Sequence, residues 1–202
     1  MKDMVSIRKT RPFGAGWGSL ANRLVANRKF YPKQYAEDFV RIASVPDLNA
    51  TVATDFTRYY QEAAKKVHAL VESLTDAQIW TRPYPYGNSV GHLLLHLTGN
   101  LSYYIGAEIG GTGYVRNRPL EFSDTVHHPK QELLAKFDAA LTTVVAVLQK
   151  QTEQDWSGAY TAKGMEDSGD RFTAFLRCAA HISHHTGQIM YLCKELEHKH
   201  RP

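Results

Sequence analysis

The residues of this 202-residue chain best equipped for chemistry are its ten histidines, six of which fall in two segments with helical patterning. In His92-Leu93-Leu94-Leu95-His96, and again in His181-Ile182-Ser183-His184-His185, two imidazoles stand four residues apart. On a helix that spacing puts both rings on one face about 6 Å apart, close enough to chelate one ion. Neutral imidazole suits Zn, Ni, Cu and Fe(II), and a third imidazole from a facing helix would complete a three-ligand site with positions open to water or substrate. Such coordination belongs to a catalytic metal rather than a structural one. The competing reading is bland: a histidine on a helix face is usually a hydrogen-bonded core residue or a solvated one. Other metal chemistries fail on the residues. There is no His-Glu-x-x-His and no Cys-x-x-Cys. A di-iron carboxylate bundle needs two inward Glu-x-x-His motifs and two further glutamates, whereas that spacing occurs here only at Glu195 with His198 and Glu197 with His200, overlapping at the end of the last helical segment.

To bring two such pairs together, the chain needs long helices packed side by side. The period of Val52, Phe56, Tyr59, Tyr60, Ala63, Val67 and Leu70 predicts a helix over Asn49 to Leu74. A second, capped by Asn88 or Ser89, runs to about Ile109, where two glycines stop it. A third begins with Pro129 in its first turn and continues to about Lys150 on Leu133, Leu134, Phe137, Leu141, Val144, Val145 and Leu148. A fourth runs from about Arg171 to Glu197. The link Gly110 to Pro129 has no sustained period and is long enough to cross the length of a bundle. Residues Trp156 to Asp170, rich in Gly, Ser and Asp, suit a small hairpin or lid. The expected fold is all-α, a four-helix bundle with a long crossover between helices 2 and 3, over residues 46–202. Residues 1–45 are expected to be a basic N-terminal extension with a short helix over Lys33 to Ser44.

Charge and composition narrow the function classes. Residues 1–35 hold eight Lys or Arg against the single acid Asp3, so the formal +4 of the chain becomes −3 beyond that arm. The body is not a nucleic-acid surface by composition; the basic arm has the charge to touch nucleic acid or an anionic membrane surface, with a solvated extension as the favoured reading. No stretch approaches the roughly 20 apolar residues of a membrane span, and the arm lacks the apolar run of a secretory signal. Cys178 and Cys193 fall fifteen positions apart in one helical pattern, too far for a mutual disulfide at about 1.5 Å per residue. A reducing, cytoplasmic setting is expected, with Cys178 packing as a small apolar residue rather than acting as a nucleophile.

Two segments then carry a family likeness: Asn88-Ser89-Val90-Gly91-His92-Leu93-Leu94-Leu95-His96-Leu97-Thr98-Gly99-Asn100, and His181-Ile182-Ser183-His184-His185-Thr186-Gly187-Gln188-Ile189. Both resemble the DinB/YfiT-like metalloenzymes, whose helix 2 carries a His followed by a small-residue and Asn step and whose last helix carries His-x-x-x-His-x-Gly-Gln. Arg116-Asn117-Arg118-Pro119-Leu120-Glu121-Phe122 looks like one branch of the same family, so the likeness covers roughly residues 50–195. The resemblance implies His96, His181 and His185 as ligands of a divalent metal (Zn, Ni, Mn or Fe). It leaves His92, Asn100, His184, Gln188, Arg116 and Arg118 in the pocket or behind the ligands. His92 stands where relatives more often carry a large apolar residue. Gly187 is expected to let a neighbouring helix approach, and Gln188 lies one turn beyond His185. Tyr59, Tyr60, Tyr103 and Tyr104 are candidates for pocket lining, with the core as their ordinary place.

The better understood relatives resemble transferases and isomerases that use low-molecular-weight thiols. The resemblance therefore implies metal-activated attack by such a thiol on an electrophilic small molecule, with Arg116 and Arg118 as clamps for cofactor carboxylates. A metal-dependent hydrolase, or a non-enzymatic metal-binding or sensing module, stands as the alternative. A homodimer is the assembly such relatives suggest.

Overall fold

A computed structural model describes residues 47–199, and among these the protein is mostly helical, with one antiparallel pair of two-residue strands. The expected extension over residues 1–45 and its helix Lys33 to Ser44 lie outside the described residues.

Helix α1 (Leu48–Val71) buries Tyr60 and Val67 of the predicted stripe and also Val71, one turn beyond Val67. Thr75 and Gln78 form a capping box that starts the short α2 (Asp76–Trp80). Helix α3 (Val90–Leu101) is capped by Ser89, the second of the two predicted candidates, again through a capping box. Its N3 partner is His92, whose Nδ1 accepts the Ser89 backbone N–H at 3.3 Å in the place a glutamine or glutamate usually takes. The expected continuous helix to Ile109 is α-helical only to Leu101 and then loosens into a π-helical stretch, Ser102–Ala107. Such widened turns are rare and often adjoin functional sites.

The link after it is less irregular than its sequence suggests, because Leu120–Ser123 forms one helical turn, α4. Pro129 caps α5 (Lys130–Leu148) from just outside rather than from within its first turn. After α6 (Glu153–Trp156), the predicted hairpin appears as β1 (Ala159–Tyr160) and β2 (Gly169–Asp170), and α7 (Arg171–Lys199) follows directly.

The long helices pack in the cyclic order α1, α5, α3, α7. Trp156 before α7 donates to Asn49 at the start of α1 (2.6 Å), and Ser73 past the end of α1 meets Glu197 near the end of α7, so these two run in the same direction. Trp80 packs on Gly91 at the start of α3 and donates to the carbonyl of His128 just before α5 (2.9 Å). Gly110 after α3 lies against Val147 near the end of α5. Helices α3 and α5 therefore also run in the same direction, and the link between them travels back along the helices, passing the middle of α3 on its way. Between them lie Phe137, Phe175, Leu94, Leu97, Leu101, Ile182 and Ile189, all fully buried. No helix among the described residues is long and apolar enough to cross a membrane.

One polar contact holds this frame at its end. The Lys130 ammonium donates to the carbonyls of Glu72 at 2.8 Å and Leu74 at 2.5 Å, and more distantly to that of Val71, so a cation from α5 satisfies the unpaired end of α1. A Lys130→Met substitution keeps the apolar stem and removes these bonds. The expected loss in a urea titration is about 1–2 kcal/mol; an unchanged midpoint would mean that the cap carries no net energy.

Candidate metal centre

His96 faces inward from the middle of α3 because Leu93, Leu94 and Leu97 around it fill the core, and it is itself 4% exposed. His181 and His185 share one face of α7, while Ile182, one position on from His181, anchors that helix in the core. The three rings meet with centroids 5.0 Å (His96 to His181), 4.9 Å (His96 to His185) and 4.4 Å (His181 to His185) apart. Their ligand nitrogens all lie within 4.8 Å of one another, so the group could hold a metal ion.

Hydrogen bonds orient two of the three rings. His96 Nδ1 lies 2.7 Å from Glu121 Oε2, where a carboxylate requires a donor, so Nδ1 carries a proton and Nε2 is the nitrogen turned to the other rings. That Nε2 stands 2.9 Å from His181 Nε2. His185 Nδ1 lies 2.7 Å from Gln188 Oε1 and donates to it, which leaves its Nε2 as the nitrogen that could meet an ion. Burial pushes the His181 imidazole down to about 3, helped by its neighbours His185, His96 and Arg116. His185 is pushed down to about 4, again mainly by burial, against the opposing effect of the bond it donates to Gln188. At neutral pH both rings are uncharged, the form a metal takes.

Behind His96 stands a buried ion pair. Glu121, on the single turn α4, accepts from Arg116 Nε at 2.7 Å and Nη2 at 2.9 Å, and both side chains are 7% exposed. Burial alone would raise the Glu121 carboxyl, but the bonds from His96 and Arg116 outweigh it and hold it below the ordinary carboxylate value. A carboxylate on the far nitrogen of a ligating histidine fixes the tautomer and raises ligand basicity. Gly99 makes this arrangement sterically possible: a Cβ there would overlap the Glu121 carboxylate, lying 2.9 Å from its Cδ. The Phe122 ring closes the other side of His96 at 4.8 Å.

A cavity of about 810 Å³ opens beside His96 and His181. Asn100, Tyr103, Tyr104, Arg116 and Arg118 line it, and Lys163, Gly164 and Met165 from the segment between β1 and β2 wall it in. Tyr104 Oη donates to the Lys163 carbonyl at 3.2 Å, tying that segment to the π-helical stretch. Gly164 has φ +88, and a Cβ on it would lie 2.7 Å from Tyr104 Oη, so only glycine fits this crossing.

Of the residues singled out from sequence, His96, His181, His185, Asn100, Arg116 and Arg118 gather here. Arg116 is committed to Glu121 instead of standing free in the cavity. Gln188 serves His185 and also lies 3.2 Å from His184 Nε2. His184 opens on a different cavity, with Tyr84, Tyr86 and Tyr191. His92 points away, held between Ser89, Arg82 and the Trp80 ring, and caps α3. Gly187 does not receive a neighbouring helix, since a Cβ there would meet nothing within 4 Å. Tyr60 is a core residue bonded to the Phe175 carbonyl, and Tyr59 bonds Ser183 on the far side of α7 from the cavity. Glu121 was not among the residues chosen from sequence. Its one signal was its place in the Arg116 to Phe122 run, which says nothing of where the link crosses α3.

Both cysteines are free and buried. Burial pushes the Cys178 thiol up to about 12 and the Cys193 thiol up to about 11. The native protein is therefore expected to leave a thiol-titrating disulfide reagent unreacted at about pH 8, with both thiols reacting once denatured. Rapid reaction of the native chain would show the helix α7 face to be open.

Comparison with known proteins places this geometry. Residues 49–201 match the family model described as a protein of unknown function, DUF1572. The chain belongs to the DUF1572 family. The matched segment spans both histidine pairs, Gly99 and the Glu121 turn of this DUF1572 member. Among solved structures it is similar to one described as the conserved protein of locus from Enterococcus faecalis. The two share 18% identity with a TM-score of 0.58, over 71% of this chain and 95% of that one, a likeness of fold. No curated protein matches the sequence.

Proposed function

We propose that this DUF1572 protein is a divalent-metal-dependent enzyme with the four-helix bundle of the DinB/YfiT-like kind, transferring a low-molecular-weight thiol to an electrophilic small molecule. The observation that carries the reading is the convergence of three imidazoles beside an open cavity, with a buried Arg–Glu pair behind one of them. A purely structural metal site closes its coordination with a fourth protein ligand; only three His, Cys, Asp or Glu residues cluster here among the described residues. The donor set fits Zn, Ni, Mn or Fe, with His96, His181 and His185 as the ligands.

The chain's own residues have separable tasks. Glu121 holds the proton on His96 Nδ1, and Arg116 keeps Glu121 ionised. Gln188 holds His185 in its tautomer. Phe122 keeps water from one side of His96, and the cavity receives substrate from the other. When bound, the ion supplies Lewis acidity that lowers the pKa of a thiol or water near neutral pH. In the reaction a bond forms between sulfur and an electrophilic carbon, the thiol proton passes to solvent, and the leaving group departs with the electron pair of the bond that breaks.

A panel of thiols and electrophiles, assayed with metal-loaded protein, tests the proposal. Consumption of thiol matched to product supports it. Turnover of a simple ester or amide with no thiol reaction replaces it with a hydrolase. An inert site, with a Co²⁺ spectrum that neither thiol nor azide perturbs, replaces it with a metal-binding module.

A further inference from the structure

A second cavity, of about 490 Å³, opens between helix α7 and the loop that leads from α2 to α3. Helix α7 contributes His184, Gly187, Gln188 and Tyr191, which share one helical face, and the loop contributes Tyr84, Tyr86 and Asn88. Tyr84 and Tyr86 stack with centroids 5.8 Å apart and 15° between their planes, while Tyr86 and Tyr191 are 77% and 74% exposed. Large rings gathered at one mouth and left to solvent mark a binding surface. Gly187 is an independent observation. Only proline is a poorer residue than glycine in a helix interior, and Gly187 sits inside α7 with no positive φ and with nothing within 4 Å of where its Cβ would stand. Neither backbone conformation nor packing among the described residues accounts for it, and what the missing side chain leaves is room on the cavity floor. No Lys, Arg, Asp or Glu lines this cavity. Gln188 Oε1 accepts from His185 Nδ1, so the same amide turns Nε2 to His184 at 3.2 Å and keeps a second N–H to give. An uncharged ligand with a flat face for the rings and a polar edge for the amide meets these demands, whereas an ion finds no counter-charge here.

We propose that this cavity binds an uncharged, planar heteroaromatic molecule, its ring lying over Gly187 among the tyrosines and its edge accepting the second N–H of Gln188. Aromatic side chains supply stacking and amides read ring edges, as they do where single nucleobases are recognised. The site is separate from the reaction proposed above and stands without the metal. Gln188 nevertheless joins the two, since the amide that faces this ligand also orients His185.

The test is a protein-observed NMR titration of the full chain, as purified, with three probes. 9-Methyladenine is flat and uncharged with a hydrogen-bonding edge, adenosine 5′-monophosphate adds a phosphate, and methyl β-D-glucoside is uncharged but has no aromatic ring. 9-Methyladenine is expected to bind with a dissociation constant of about 1 mM, which suits so small a ligand. The monophosphate should fall within about twofold of it and the glucoside should bind about tenfold more weakly. Shifts should gather at Tyr86, Gly187 and Tyr191, and not at Tyr103 and Arg118 beside the three histidines. Tyr191→Ala removes an exposed ring and should weaken 9-methyladenine about tenfold with the urea midpoint unchanged. Gly187→Ala puts a methyl group on the cavity floor and should weaken it about as much, while the protein unfolds at higher urea because alanine is the better helix former. A glycine that served only the fold would not separate the two readouts. A monophosphate that binds about tenfold more tightly than 9-methyladenine, a glucoside that binds equally well, shifts confined to the three-histidine cavity, or either variant keeping the parent's affinity overturns the proposal. So does a chain that ignores all three probes, and if its Tyr86 and Tyr191 signals then move with protein concentration, the face belongs to a second copy of the chain.

Discussion

Untagged protein purified without chelator is expected to carry close to one divalent ion per chain, and His185→Ala and His96→Ala to carry almost none. Altering a group that merely supports a ligating histidine lowers metal affinity by about 10–100-fold. Deleting one of only three ligands should exceed the upper end of that range. His185→Ala is the cleaner variant, because His185 is partly exposed and its loss opens no core cavity. His96→Ala removes a buried ring and strips Glu121 of a donor, so its helical signal must be checked beside the metal content. His92→Ala and His184→Ala serve as internal controls. One side chain caps α3 and the other faces a separate cavity, so both variants should retain the ion. Elemental analysis reads all five proteins. A metal-free parent that also refuses added Zn, Ni, Mn and Fe would falsify the centre, leaving a histidine-rich helical protein.

The second large effect falls on a residue with no side chain. Gly99→Ala is expected to weaken metal binding by about 10–100-fold, as though Glu121 itself had been altered, because the new methyl group occupies the place of the Glu121 carboxylate. It should also destabilise the fold. In an exposed helix interior, glycine to alanine stabilises by up to about 1 kcal/mol. Here the same change drives apart a carboxylate and a guanidinium that are each 7% exposed, and breaking such a buried pair costs about 3–5 kcal/mol. The sign of the stability change thus separates the two expectations. Glu121→Gln keeps the shape without the charge, so its affinity should fall while more of the stability survives. Chelator competition for bound Zn²⁺ and a urea titration measure both quantities. A Gly99→Ala protein that is more stable than the parent and binds metal equally well would show that Glu121 does not bear on the centre.

The sequence by itself determined most of what depends on local order. Helical periods placed the four long helices, and turn residues placed the breaks and the hairpin between Trp156 and Asp170, because periodicity and backbone preference act over a few neighbouring residues. The i,i+4 spacing of His181 and His185 likewise placed two imidazoles on one face of α7, a property of helix geometry alone. Spacing could not choose between His92 and His96. That choice depends on which face of α3 meets α7, and the folded chain turns His96 to His181 while His92 caps its own helix. Nor could sequence find Glu121. Its role depends on a link that crosses α3 at the height of Gly99, a contact between residues more than twenty positions apart that no local pattern encodes. The loosened turn at Ser102–Ala107 and the unmet carbonyl of Asn100 have the same origin, for each is a local departure that only the surrounding packing holds in place.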